Sequence, residues 1–189
     1  LSPSALRALP LRDSVGQWLH AHPEAFAQLA VVSSPELWLH MGFTPVPGGL
    51  LYIGAAEKTQ LSGPALLARH QALCRRLAPS LAESRVMRPE LRRIQTRVRA
   101  HVSRVTNDLG ALLESLGYDK EADSAYREAL LLDNNNLCSS LNLFGLRMRN
   151  KAFGPLAELA EKLESLSSWP DFFSTFDLKV SAGGALAPQ

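Results

Sequence analysis

Val105 to Asn136 reads VTNDLGALLESLGYDKEADSAYREALLLDNNN. Leu109, Leu112, Leu113 and Leu116 recur at three- and four-residue spacing, which places them on one helical face. Gly117 stands just past the last of them, where a left-handed C-cap favours glycine. Asp119, Glu121 and Asp123 follow at the start of a second helix, whose dipole favours acids there. Ala122, Tyr126, Ala129 and Leu130 form the next apolar stripe. Ala122 and Ala129 are small, so a neighbouring helix can approach closely. Turn formers from Leu132 to Asn136 close the unit. The stretch predicts a helical hairpin in which a bulky residue at Ala122 overpacks the contact by about 1–3 kcal/mol.

The same residues carry a resemblance. Leu109-Gly110, Gly117-Tyr118, Ala122, Tyr126 and Ala129 resemble one tetratricopeptide repeat. Asn134 stands where that pattern has proline, and Thr106 where it usually has a bulky aromatic. A shift of 34 residues sets Leu143 on Leu109 and Leu146 on Leu112. It also sets Phe144 on Gly110, Leu156 on Ala122 and Ala160 on Tyr126, which swaps large for small. Leu137–Arg149 and Pro155–Ser167 are therefore expected as a degenerate second pair, with Pro155 in a first helical turn.

The resemblance implies a scaffold that binds other proteins and carries no chemistry. It implies a groove lined by the first helix of each pair: Arg104, Asn107, Ala111 and Glu114, then Leu141, Gly145 and Met148. The family's clamp for C-terminal carboxylates needs a Lys and an Asn on that helix. Asn107 and Ala111 stand there, so carboxylate capture is not expected. The expected partner is a neighbouring domain or subunit, with the aromatics Trp169, Phe172, Phe173 and Phe176 of the chain's own tail competing for the groove.

So few repeats cannot bury a continuous core alone, so something upstream must cover the first helix. Leu91, Ile94, Val98, Val102, Val105 and Leu109 continue the stripe backward, and Pro89 stands at its start. A helix from Pro89 to Leu116 is predicted, its N-terminal half packed on a helix from Pro64 to Leu77. Pro89–Ser167 should be helical apart from turns near Gly117, Asn134–Asn136 and Lys151–Gly154.

The N-terminal third has another texture. Arg12–Ala21 reads as a short helix, followed by Pro23–Leu29. Leu29–Val32 reads as a strand, Ser34-Pro35-Glu36 as a helix start, and Gly42–Gly49 as a turn-rich loop. Leu50–Ile53 reads as a second strand, which can pair in parallel with the first. The expected fold is mainly α, with helical hairpins and a small α/β element. The divisions are 1–62, a helical region 63–168 and a tail 169–189. The stretch LAVVSSPELWLHMGFTPVPGGLLYIG is similar to the soluble tails of bacterial lipid-linked glycosyltransferase-type membrane proteins. Trp38, Gly42, Pro47, Gly49, Leu50, Leu51 and Tyr52 carry that likeness. It implies an extracytoplasmic domain of a larger membrane protein, with catalytic residues near spans outside this chain. A cytoplasmic domain is the alternative.

The chain has 189 residues, 46% of them hydrophobic, and a formal net charge of +2. That length suits one domain or two small ones. Residues 1–104 hold 13 Lys/Arg against 6 Asp/Glu, and residues 105–189 hold 7 against 12, so the chain is electrically polar along its length. It opens LSPSALRALP without methionine, as expected of a piece of a longer protein, and carries no secretory signal pattern. The longest uncharged run, Leu37–Ala56, is broken by Pro45, Pro47, Gly42, Gly48 and Gly49, which argues against a spanning helix. Cys74 and Cys138 fit two free thiols, or a disulfide in an oxidising compartment.

Candidate chemistry is sparse. His20, His22 and His40 lack acidic or thiol ligands at metal spacing. Ser33-Ser34 and Ser139-Ser140 belong to no nucleophile motif. Gly48-Gly49 is not followed by the Gly-Lys-Ser/Thr of a phosphate loop. Asp171 and Asp177 beside Trp169 and Phe172 read as a packed tail before a carbohydrate site. No cofactor and no small-molecule substrate are expected. Arg92, Arg93, Arg97, Arg99 and Arg104 fall on the half of the long helix opposite its apolar stripe. A solvated face is the plain reading. An anionic membrane surface ranks next, and nucleic acid last, since no aromatic interleaves as a stacking platform.

Overall fold

The computed structural model describes residues 11–22, 35–55, 61–82 and 88–150, with 153, 157, 159–161 and 163 beyond them. The elements are α1 (Leu11–Ala21), α2 (Glu36–His40), β1 (Thr44–Gly48), β2 (Leu51–Ala55) and α3 (Gly63–Leu81), then α4 (Pro89–Ser115), α5 (Asp119–Leu132) and α6 (Leu137–Arg149). The protein is mainly helical, with a two-stranded antiparallel sheet near the N-terminus.

α4 and α5 form an antiparallel hairpin. Gly117 has φ +81°. Tyr118 N–H bonds to the Leu113 carbonyl at 2.9 Å, and Gly117 N–H to Glu114 at 3.0 Å. This is the paired Schellman closure that lets glycine end a helix. Gly110 lets the helices close in, because a Cβ there would lie 2.5 Å from the Tyr126 ring. The Tyr126 hydroxyl donates to Glu114 Oε2 at 2.8 Å. Leu109, Leu113, Ala122, Ala125, Tyr126, Leu143, Leu146 and Leu159 share one core.

α6 stacks on this hairpin through polar bonds to α4. Ser139 Oγ donates to Asn107 Oδ1, 32 residues away in sequence. Asn142 Nδ2 donates to the same oxygen, 35 residues away. Arg149 pairs with Glu114, again 35 residues away. Partner numbers rise together along both helices, so α4 and α6 run parallel. Asn136 caps α6 by accepting from Ser139 N–H at 3.0 Å, and its amide donates to Ser103 Oγ.

The N-terminal elements depart from the sequence expectation. The expected loop Gly42–Gly49 contains β1, and the pairing with β2 is antiparallel. The strand expected at Leu29–Val32 lies outside the described residues. Gly49, at φ +67°, takes the first position of a two-residue turn, where a II′ hairpin uses glycine. Gly48 faces Leu51 across that turn. Hydrogen-bonded pairs alternate with non-bonded ones, so Pro45 and Pro47 fall where no ladder N–H is needed. The outward Tyr52 carbonyl instead accepts from Trp38 Nε1 at 3.1 Å. Leu19, Trp38, Met41, Phe43 and Tyr52 close a second core on Val105 of α4.

A further correction concerns the start of α4. Leu91 and Ile94 are 51% and 57% exposed, so they bury little surface against α3. Gln95 makes that contact, donating to the carbonyls of Ser80 and Ala82 at 3.2 and 2.6 Å. α5 gives no cover either, because it turns back only as far as Leu132, whose carbonyl accepts Arg99 Nε at 3.2 Å.

Candidate functional site

The residues expected to line a groove divide into two sets. Asn107 is 3% exposed, and its carbonyl is committed to Ser139 and Asn142. Glu114 is committed to Tyr126 and Arg149. These two clamp helix to helix; Asn107 offers no free surface, and the Glu114 side chain keeps 28% of its exposure. Arg104 and Met148 are exposed, while Ala111, Leu141 and Gly145 are half-buried. The tail aromatics lie outside the described residues.

The basic face also divides. Arg92, Arg93 and Arg97 are exposed, whereas Arg99 is half-buried against the end of α5. Leu91 and Ile94 share this projecting segment with the three exposed guanidinium groups. Elsewhere, Asp123 is buried and holds both Arg127 of its own helix and Arg147 of α6, at 2.7 and 3.2 Å.

The structure brings together a set that sequence reading passed over. His70 of α3 is fully buried. Gly49 N–H donates to its Nδ1 at 3.1 Å, so that nitrogen is unprotonated. Nε2 therefore carries the proton and donates to Thr106 Oγ1 at 2.8 Å. The Thr106 hydroxyl passes on to the Val102 carbonyl at 2.7 Å, and Cys74 Sγ lies 3.3 Å from Nε2. One neutral ring thus ties the hairpin turn, α3 and α4 together. Burial lowers its pKa to about 4 and raises that of Cys74 to about 11. The available signal was position, since His70 falls in the stripe of Leu66, Leu67, Leu73, Cys74 and Leu77.

The sign of the pH effect follows. The unfolded imidazole titrates near 6.5 and the folded one near 4. Between those values the unfolded chain binds the extra proton, so stability present above about pH 6.5 is lost as pH falls toward 4. The full contribution is about 3 kcal/mol. His70→Gln keeps an acceptor but cannot titrate. Urea midpoints of the parent should therefore fall more steeply than those of the variant across this window. Parallel curves would remove His70 as the cause.

A second buried pair joins the N-terminal core to α4. The Tyr52 hydroxyl donates to Asp108 Oδ2, and burial holds the Asp108 carboxyl above its ordinary range. Beside His70 a cleft of about 540 Å³ opens between the hairpin and α3. Val46, Leu50, Leu51 and Ile53 line one wall, and Leu66, Leu73 and Leu77 line the other. Arg69 and Arg76 complete the α3 side and are exposed to solvent.

Other candidates have local roles. The rings of His20, His22 and His40 each bond a different carbonyl, those of Met41, Trp18 and Glu36. Among the described residues no group of three or more His, Cys, Asp or Glu is placed to hold a metal ion. Cys74 and Cys138 form no disulfide. Ser139 and Ser140 serve the α6 cap and the α4–α6 clamp. Among the described residues no helix is long and apolar enough to cross a membrane. No family model matches the chain, and neither a curated protein nor a solved structure matches it.

Proposed function

We propose that this chain is a non-catalytic interaction domain of tetratricopeptide type, and that its partner is a protein: a neighbouring domain or subunit. The observation that carries the reading is the parallel packing of α4 and α6, bonded at offsets of 32, 35 and 35 residues. These bracket the 34-residue period of that repeat family. The tight Gly110–Tyr126 contact supports it from inside the hairpin. The surface offered comprises Arg104, Ala111, Leu141 and Met148, of which Met148 is 55% exposed.

The wider context we propose is the extracytoplasmic tail of a larger bacterial membrane protein of glycosyltransferase type. Trp38, Gly42, Pro47, Gly49 and Tyr52 support it only as a folding signature. They build the N-terminal core and its turns, and any catalytic residues of the parent would lie elsewhere. A second reading, binding to an anionic membrane surface, is favoured by Leu91 and Ile94 standing exposed beside Arg92, Arg93 and Arg97. Apolar residues flanked by cations suit an interfacial helix.

Photo-crosslinking side chains placed at Ala111 and Met148 test the first reading, with exposed Ala78 of α3 as control. A protein adduct is expected from the first two sites and not from the third. Adducts of equal yield at all three, or none at Ala111 and Met148, would defeat it. Salt separates the readings. Groove binding changes little between roughly 50 and 500 mM salt, whereas contacts to phosphate groups weaken steeply.

A further inference from the structure

We propose that the cleft between the β1–β2 turn and α3 binds a free single-chain anionic amphiphile. Its alkyl tail lies between the hairpin and the α3 leucines, and its monoanionic head lies against Arg69 and Arg76. This site is distinct from the α4–α6 surface and does not rest on the interaction reading.

Three observations support it. The walls are apolar on both sides, and Leu66 to Leu77 spans three turns of α3, roughly 16 Å, a length suited to an extended alkyl chain. The volume, about 540 Å³, lies within the roughly 300–1,000 Å³ of small-ligand sites. Arg69 and Arg76 are seven residues apart, so they share one edge of the helix beside the leucine stripe. No acidic residue lines the cleft. Among the described residues no hydrogen bond or ion pair engages either guanidinium.

The polar chemistry of the cleft narrows the ligand class. His70 is the other titratable group in its lining, and both its ring nitrogens are already bonded, to Gly49 and Thr106. It offers neither charge nor a free donor. A sugar or nucleotide needs several convergent polar groups, and this cleft supplies two cations at one edge of a greasy trough. Selection therefore rests on one negative charge and one apolar tail.

Calorimetric titration of the 189-residue chain with laurate, below its micelle concentration, tests the proposal. Dodecyltrimethylammonium carries the same tail with the opposite charge. Laurate should bind one per chain, with the cation at least tenfold weaker. Arg69→Gln with Arg76→Gln should weaken laurate at least tenfold and leave the thermal midpoint unchanged, because both side chains are exposed. Gly48→Leu should abolish binding by filling the cleft. A Cβ at Gly48 meets nothing within 4 Å, and Gly48 is not among the glycines at positive φ. Circular dichroism checks that each variant is folded. Equal affinity for laurate and its cationic counterpart overturns the proposal. So does a double arginine variant that binds laurate like the parent. Phosphatidylglycerol vesicles that bind while laurate does not would overturn it in favour of a membrane surface.

Discussion

Gly110→Ala is expected to destabilise the protein by about 1–3 kcal/mol, although alanine is the better helix former by about 1 kcal/mol. The new methyl would sit 2.5 and 2.6 Å from two carbons of the Tyr126 ring. That ring is buried, and its hydroxyl is tied to Glu114, so it has nowhere cheap to go. The sign should reverse once the ring is gone. In a Tyr126→Ala background, Gly110→Ala should stabilise by up to about 1 kcal/mol, because only the helix preference remains. Urea unfolding of the four-member cycle reads both numbers. Ala122→Leu probes the same contact from α5 and should cost about 1–3 kcal/mol. A cycle in which Gly110→Ala costs the same in both backgrounds would show that the ring does not set the helix spacing.

Trp38→Ala should produce the largest single loss, about 3–5 kcal/mol. Trp38 is 1% exposed and sits among Leu19, Met41, Phe43, Tyr52 and Val105. Trp38→Phe separates volume from hydrogen bonding. It keeps most of the packing but leaves the Tyr52 carbonyl without its donor, at about 1–3 kcal/mol. Tyr52 faces Pro47 at a non-bonded pair, so its carbonyl points away from β1 and that strand cannot replace the donor. Thermal melts of both variants decide the matter. If Trp38→Phe matches the parent, solvent or backbone shift satisfies that carbonyl and the indole bond is dispensable.

The helical half was largely legible because its signals are local. Apolar spacing fixes α4, α5 and α6, Pro89 marks the start of α4, and Gly117 marks the turn. What the spacing does not encode is how far a partner helix reaches. Leu91 and Ile94 carry the right period, but α5 ends at Leu132 and leaves them uncovered. β1 was hidden for a different reason. Proline argues against a strand, and TPVPG holds two. Only the register shows that both occupy positions where the ladder asks for no donor. Asn107 illustrates the limit at the site. A repeat pattern assigns it to a groove-lining helix, yet Ser139 and Asn142 take its carbonyl. Buried polar pairing is decided by residues more than thirty positions away, which no local pattern reports. His70 was missed because a histidine in an apolar stripe looks the same whether its nitrogens are bonded or not.

Val105 and Leu109 stand one turn apart on α4 and belong to different cores. An uninterrupted rod common to two packed bodies leaves no hinge between them. Rotating or sliding α4 would pull Val105 out of one body and Leu109 out of the other in the same motion. A change in their relative angle therefore requires at least one of them to give up its packing on α4.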